Sequence, residues 1–177
     1  QGYKGHAEYD TIAAVKAAVK VPVVANGDIT SPEKAQAVLA YTGADAIMIG
    51  RAAQGRPWIF GDIAHFLATG QHRAAPMTQQ VKQWLLDHLD DHYSLYGDYA
   101  CVRTARKRIG WAVRALPGGE DFRAHMNTLE TCASQVQAVA DFFDALSVDH
   151  DRLPWVDPTL DDEEAAQDAR EAACTAN

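Results

Sequence analysis

The chain has 177 residues, 47% of them hydrophobic and 23% charged, with three cysteines and a formal net charge of −8. No apolar run reaches transmembrane length and no signal peptide is evident, so no membrane partner and a cytoplasmic setting are expected. The net charge does not exclude nucleic acid: residues 141–177 hold 11 Asp/Glu against 2 Lys/Arg, and residues 1–140 carry 14 basic and 13 acidic residues. Cys101, Cys132 and Cys174 have neither metal nor redox spacing, and Cys101 and Cys132 are expected to be small, buried, reduced residues. His88 and His92 lie one helical turn apart without a third ligand, so no metal is expected.

Residues 1–9 read as a polar, glycine-containing loop in which Lys4 faces either phosphate or solvent. Residues 8–19 follow as an amphipathic helix with Ile12, Val15 and Val19 at helical spacing. Residues 21–25 are a Val-rich run closed by Asn26-Gly27-Asp28, as in a strand buried on both faces. Thr30 or Ser31 can cap the next helix. Pro32 suits its first turn, and Glu33 offers a T-x-x-E box from Thr30. Ala35, Val38 and Leu39 give that helix one apolar face, and Gly43 its left-handed stop. Residues 45–49 form a second buried strand ending at Gly50-Arg51. Strand, helix, strand implies parallel neighbours joined by a right-handed crossover.

The two strand ends carry the chemistry. Gly27 and Gly50 leave room for backbone N–H groups to approach an anion, and Arg51 adds a charged fork suited to phosphate oxygens. Taken alone, the same residues are also two turn glycines and a solvated arginine. Two parallel strands cannot close a barrel or cover their own faces, so the chain is read as the C-terminal part of a longer polypeptide.

Residues 57–68 predict a helix with Ile59, Phe60, Ile63, Phe66 and Leu67 on its apolar side, stopped by Thr69-Gly70. Residues 71–77 read as a linker. Thr78 is the expected N-cap of a helix over 79–96, in which Val81, Trp84, Leu85, His88, Leu89 and Tyr93 share a face. Gly97-Asp98 is expected to break it, with a second helix over 99–116. After the Pro117-Gly118-Gly119 turn come a short helix over 120–126 and a longer one over 131–146, striped by Cys132, Val136, Val139, Ala140, Phe143 and Leu146. Four helices without a strand signal make a small bundle.

One of these helices is unusual. Arg103, Arg106, Lys107 and Arg114 fall within about 100° of arc on a helical projection, with Val102, Ala105, Ile109, Val113 and Leu116 on a separate apolar arc facing the bundle. Trp111 lies beyond the basic edge, placed to stack on a base or to cover the bundle. No acidic residue occurs in 99–116, so pairing within the helix cannot balance those charges. An uncompensated basic face is what a phosphate backbone calls for. Beyond residue 147 the acidic, core-poor tail is expected to be disordered or weakly helical over 161–173.

The string ANGDI, followed about twenty residues on by GADAIMIGRAAQGRPWIF, resembles the end of the barrel in tRNA-dihydrouridine synthases of the bacterial B type. QGYKGHAEYD is similar to the segment after that family's sixth strand, and RTARKRIGW to the signature helix of its C-terminal helical domain. The resemblance covers residues 1–147. It implies an α/β plus all-α chain: 1–70 the last two strands of an FMN-binding (β/α)8 TIM barrel, 71–77 a linker, 78–147 a helical tRNA-binding domain and 148–177 the tail.

It further implies an FMN enzyme that uses NADPH, or NADH, to reduce the C5–C6 bond of uridines in tRNA. Asn26, Gly27, Asp28, Gly50 and Arg51 would hold the phosphate end of the cofactor, with Asp28 acting through its backbone or a loop bond. Arg103, Arg106, Lys107 and Arg114 would meet tRNA. The family's cysteine acid belongs to segments before Gln1, so no catalytic residue is assigned in the chain, which is expected to be inactive alone and a monomer at full length. Another phosphate-binding barrel oxidoreductase acting on a small molecule, or a non-catalytic RNA-binding fragment, remain the rival expectations.

Overall fold

The computed structural model describes residues 6–154, the side chains of residues 96–99 excepted. Lys4, Cys174 and the expected tail helix lie outside the described residues. The chain divides into two compact units, Gln1–Ala74 and Ala75–Asn177. The fold is mostly helical with one small parallel sheet.

In the first unit the order is α1 (Asp10–Ala18), β1 (Val24–Asn26), α2 (Pro32–Thr42), β2 (Ala46–Met48), a 3-10 turn over Arg51–Ala53 and α3 (Ile59–Thr69). The strands pair in parallel, Val24 with Ala46, Ala25 with Ile47 and Asn26 with Met48. Ala25, Ile29, Ala35, Val38, Ala44, Ile49, Ile59 and Ile63 form one buried cluster. The helices thus cover one face of the two strands. The expectation of strands buried on both faces is not met: Val24 and Met48 are about half exposed, because alternate residues of a strand point to opposite faces and no described element covers the second one.

Local chemistry accounts for the ends of the elements. Ser31, not Thr30, caps α2 by accepting from the Lys34 N–H at 3.2 Å, with Pro32 in the first turn. The expected Thr30–Glu33 box therefore does not form, since starting one residue later puts Lys34 in the position the box needs; Glu33 pairs with His72 at 2.6 Å instead. Gly43 and Gly70 end α2 and α3 in the left-handed conformation. On α3, Ile59 and Ile63 face the core while Phe60 and Leu67 lie on the exposed side.

The second unit holds α4 (Thr78–Val113), α5 (Gly119–Met126) and α6 (Cys132–Asp149). Here the expected break at Gly97-Asp98 is corrected: α4 runs unbroken for 36 residues. An internal glycine costs a helix only about 1 kcal/mol. Apolar residues on both sides of it (Val81, Leu85 and Leu89 before, Val102, Ala105 and Ile109 after) are buried in the same unit, so a break would sacrifice far more. The described bundle accordingly has three helices.

Thr78 is also not the cap. Met77 holds that position, and the Thr78 hydroxyl donates to the His150 carbonyl at 2.5 Å. Residues 150–153, expected to begin the tail, fold back on the start of α4. Met77 and Arg152 form a bridge, the Leu153 N–H donates to Pro76 at 2.9 Å, and Leu153 is buried.

Between α4 and α6 sits Gln135, wholly buried on a face expected to be apolar. Its amide donates to the Val102 carbonyl at 3.1 Å and its oxygen accepts from the Tyr93 hydroxyl at 3.0 Å; burial raises the pKa of that phenol. Satisfied in this way, a polar group can lie in a core without a net penalty. Cys101 is buried as expected, and the fold brings its sulfur to 2.8 Å from that of Cys132, a proximity that no sequence spacing announces. No described helix is long and apolar enough to cross a membrane.

Candidate functional sites

Parallel register places the loops after β1 and β2 side by side, and every candidate residue of the first unit falls there. Asn26 closes the end of the sheet by donating from its amide to the Met48 carbonyl at 2.9 Å. Gly27 has φ 131°, and a Cβ there would lie 2.5 Å from the Cβ of Ala7; no other residue fits. Tyr9 donates its hydroxyl to the Gly27 carbonyl at 2.7 Å.

Asp28, at φ 44°, divides its carboxylate between two partners. One oxygen accepts from the Ala7 N–H at 2.7 Å, the other from the Arg51 guanidinium at 2.9 Å. Its carboxylate is thus engaged in loop structure. Gly50 differs from Gly27: a Cβ there would meet nothing within 4 Å, so the space beside it is open. The Arg51 side chain is 62% exposed at the edge of that space.

Arg56 was not singled out by sequence reasoning. It reaches the Thr30 carbonyl at 3.4 Å and Asp62 at 3.5 Å, joining the loop after β1 to α3. Its place between the second strand and the Pro57-Trp58 pair was the available signal.

In the second unit, Arg103, Lys107 and Arg114 are exposed along α4, and Arg106 is half-buried. None of the ion pairs among the described residues involves these four. Arg106 donates to the Leu129 carbonyl at 2.9 Å, which ties the α5–α6 connection to α4, while its Nε is buried without a hydrogen-bond partner. The Lys107 ammonium lies 5.0 Å from the centre of the Trp111 ring. A groove of about 520 Å³ runs along this face. Arg123, Met126 and Asn127 form its other wall, a contribution from α5 that the helical projection of α4 could not reveal. Among the described residues no cluster of His, Cys, Asp and Glu could hold a metal.

The first unit thus ends its parallel β-α-β unit in two loops beside an exposed arginine, and the second carries a basic groove. The sequence model of the dihydrouridine synthase family matches residues 1–147, and the chain belongs to that family. Among curated relatives it is 56% identical over 141 residues to tRNA-dihydrouridine synthase B of Pseudomonas putida, covering 80% of this chain and 42% of that protein. It is 52% identical over 162 residues to the protein of that name from Xanthomonas axonopodis pv. citri, covering 92% and 47%. With that of Shewanella oneidensis the identity is 55% over 144 residues, covering 81% and 44%. The chain therefore spans under half the length of the relatives it matches.

Proposed function

We propose that the chain forms part of an FMN-dependent tRNA-dihydrouridine synthase, with residues 1–70 supplying the last two strands of its (β/α)8 barrel and 78–147 its tRNA-docking domain. The observation that carries this reading is the α4–α5 groove. Among the described residues four cations line one face of α4 without a carboxylate partner, and an RNA backbone would supply the balancing charge. A small-molecule oxidoreductase has no use for such a face.

The loop edge of the first unit fits the phosphate end of a flavin. Arg51 presents an exposed guanidinium, the space beside Gly50 is open, and Asn26 and Asp28 hold the two loops in place. Backbone N–H groups and a guanidinium are the donors that anion sites at such strand ends employ. Bound FMN, recharged by NADPH, would supply the hydride that reduces the uracil C5–C6 bond. The target uridine has to leave its stack to be reached, and the bundle's part is to hold the rest of the tRNA while it does. The catalytic acid is assigned to neither Cys101 nor Cys132, which are committed to the α4–α6 packing.

The test is dihydrouridine formation on unmodified tRNA by a full-length chain carrying this segment, supplied with FMN and NADPH. Turnover is expected, and Arg103→Ala/Lys107→Ala should raise the tRNA concentration needed for it. A flavin-loaded protein that leaves tRNA unchanged but reduces a small pyrimidine would overturn the reading.

A further inference from the structure

The groove beside α4 has features that phosphate binding alone does not explain. Trp111 lines it with Lys107 and Arg114, half-buried rather than covered by the bundle, and the buried Met126 also belongs to the lining. A binder of regular duplex needs cations on a surface, not an indole in a recess. The volume of about 520 Å³ lies within the range of sites that enclose a small ligand, about 300–1,000 Å³. Gly110 sets how close the walls come. The Arg123 side chain crosses α4 at that glycine, where an added Cβ would sit 3.3 Å from its Nε. Arg123 pairs with Glu120 at 2.6 Å, and both side chains are exposed. Among the described residues no acidic one lines the groove itself.

We propose that this groove receives one unpaired nucleotide of the RNA, its base on the Trp111 ring and its flanking phosphates among Arg103, Arg114 and Arg123. The proposal rests on the reading that α4 docks tRNA and specifies what is docked. The Lys107 ammonium now occupies the ring at cation–π distance. A base replaces it there, and the displaced ammonium is left beside the incoming phosphates. Bases within a duplex stack on one another and offer only their edges, so an aromatic ring meets a base face only where the stack is broken. Arg103 and Arg114 are about three helical turns apart, enough for phosphates on both sides of that base. Specificity then comes from the fold of the tRNA, which must present an unstacked nucleotide to this groove, and not from a base sequence.

The experiment compares the parent chain with Trp111→Leu, Trp111→Phe, Arg123→Gln and Arg103→Ala/Lys107→Ala, measuring affinity for unmodified tRNA and for a blunt RNA duplex of equal phosphate number. Trp111→Leu is expected to weaken tRNA binding about ten-fold or more, the scale of one lost base–aromatic stack, and to leave duplex binding where it was. Trp111→Phe should restore most of the loss. Arg123→Gln, an exposed change that spares the core, should weaken tRNA binding about three- to ten-fold and keeps the test open if Trp111→Leu does not fold. Tryptophan fluorescence of the parent should be quenched by tRNA but not by duplex. If Trp111→Leu and Arg123→Gln bind tRNA like the parent while Arg103→Ala/Lys107→Ala is weakened, the nucleotide site is wrong and the phosphate face stands. If Trp111→Leu loses tRNA and duplex equally, the unpaired nucleotide is again wrong. If no variant changes tRNA binding, both readings fall.

Discussion

Arginine does different work in the two units. At the strand ends, Arg51 is held by Asp28 at 2.9 Å, and the same carboxylate grips Ala7, so charge there is compensated and builds a loop. Along α4, four cations face a groove and none of them has an acidic partner among the described residues, where only Arg123 of the opposite wall is paired, with Glu120. A compensated arginine can serve a ligand with one side of its fork while the other side holds the protein together. An uncompensated cluster repels itself and costs stability until an anion arrives. On the proposed function, the first arrangement would serve a small phosphate and the second a polyanion that brings many charges at once.

The comparison can be pressed hardest at the two glycines. Gly27→Ala places a side chain at φ 131° and 2.5 Å from Ala7, and strain and clash together should cost about 2–4 kcal/mol of stability. Gly50→Ala meets open space and should change stability by less than about 1 kcal/mol, while narrowing the room for phosphate. Chemical denaturation and flavin titration of both variants separate the two effects. Equal stability losses would mean that the second loop is as closely packed as the first.

Next in size is Arg51→Ala. In a full-length chain carrying this segment it should weaken FMN binding by about 1.5–3 kcal/mol, the worth of charge-assisted contacts, without unfolding the protein. Fluorescence titration of the flavin checks it, and unchanged affinity would confine Arg51 to its bond with Asp28. Arg103→Ala/Lys107→Ala should act only on RNA. The slope of log affinity against log salt should flatten by about 1.4–1.8, two phosphate contacts' worth, with FMN content unchanged. Salt titrations of parent and double variant decide it; identical slopes would leave those cations merely solvated.

Much of this contrast could be read from residue order, and the gaps have physical causes. Turn glycines, valine-rich runs and helical spacing located β1, β2, α2 and the basic arc, because each is set within a few residues. The continuity of α4 was not legible, since a Gly-Asp pair signals a break locally while packing on both sides of it decides the outcome. Gln135 was hidden for a like reason: its amide is acceptable in the core only because Val102 and Tyr93 wait there, far away in sequence. The Asp28–Arg51 bond and Arg123 as a groove wall also needed tertiary neighbours. Sequence could place four cations on one face of a helix, but not supply the second wall that turns the face into a groove.

The smallest expected effect concerns His92 and its charged neighbour Arg108, which does not line the basic groove. His92 is buried, with its ring 2.8 Å from the Thr104 hydroxyl. Burial lowers its pKa below the ordinary value of 6.5, and the positive charge of Arg108 lowers it further, with His88 adding to the effect. The folded state therefore takes up a proton less readily than the unfolded chain. The stability conferred by the neutral ring is complete above the unfolded value and is lost as pH falls from there toward the folded one. Between pH ~7.5 and ~5.5 the parent should therefore lose stability as the pH falls. Asp45 and Asp144, whose hydrogen-bonded partners Lys16 and Lys82 hold them below the ordinary carboxylate value of 3.8, act at lower pH and leave this window clear. His92→Gln keeps a donor for Thr104 and removes the titration, so its denaturation midpoint should stay flat across the same range. High salt should shrink the parent's slope, because it screens Arg108. A His92→Gln variant with the parent's full pH dependence would place the titrating group elsewhere.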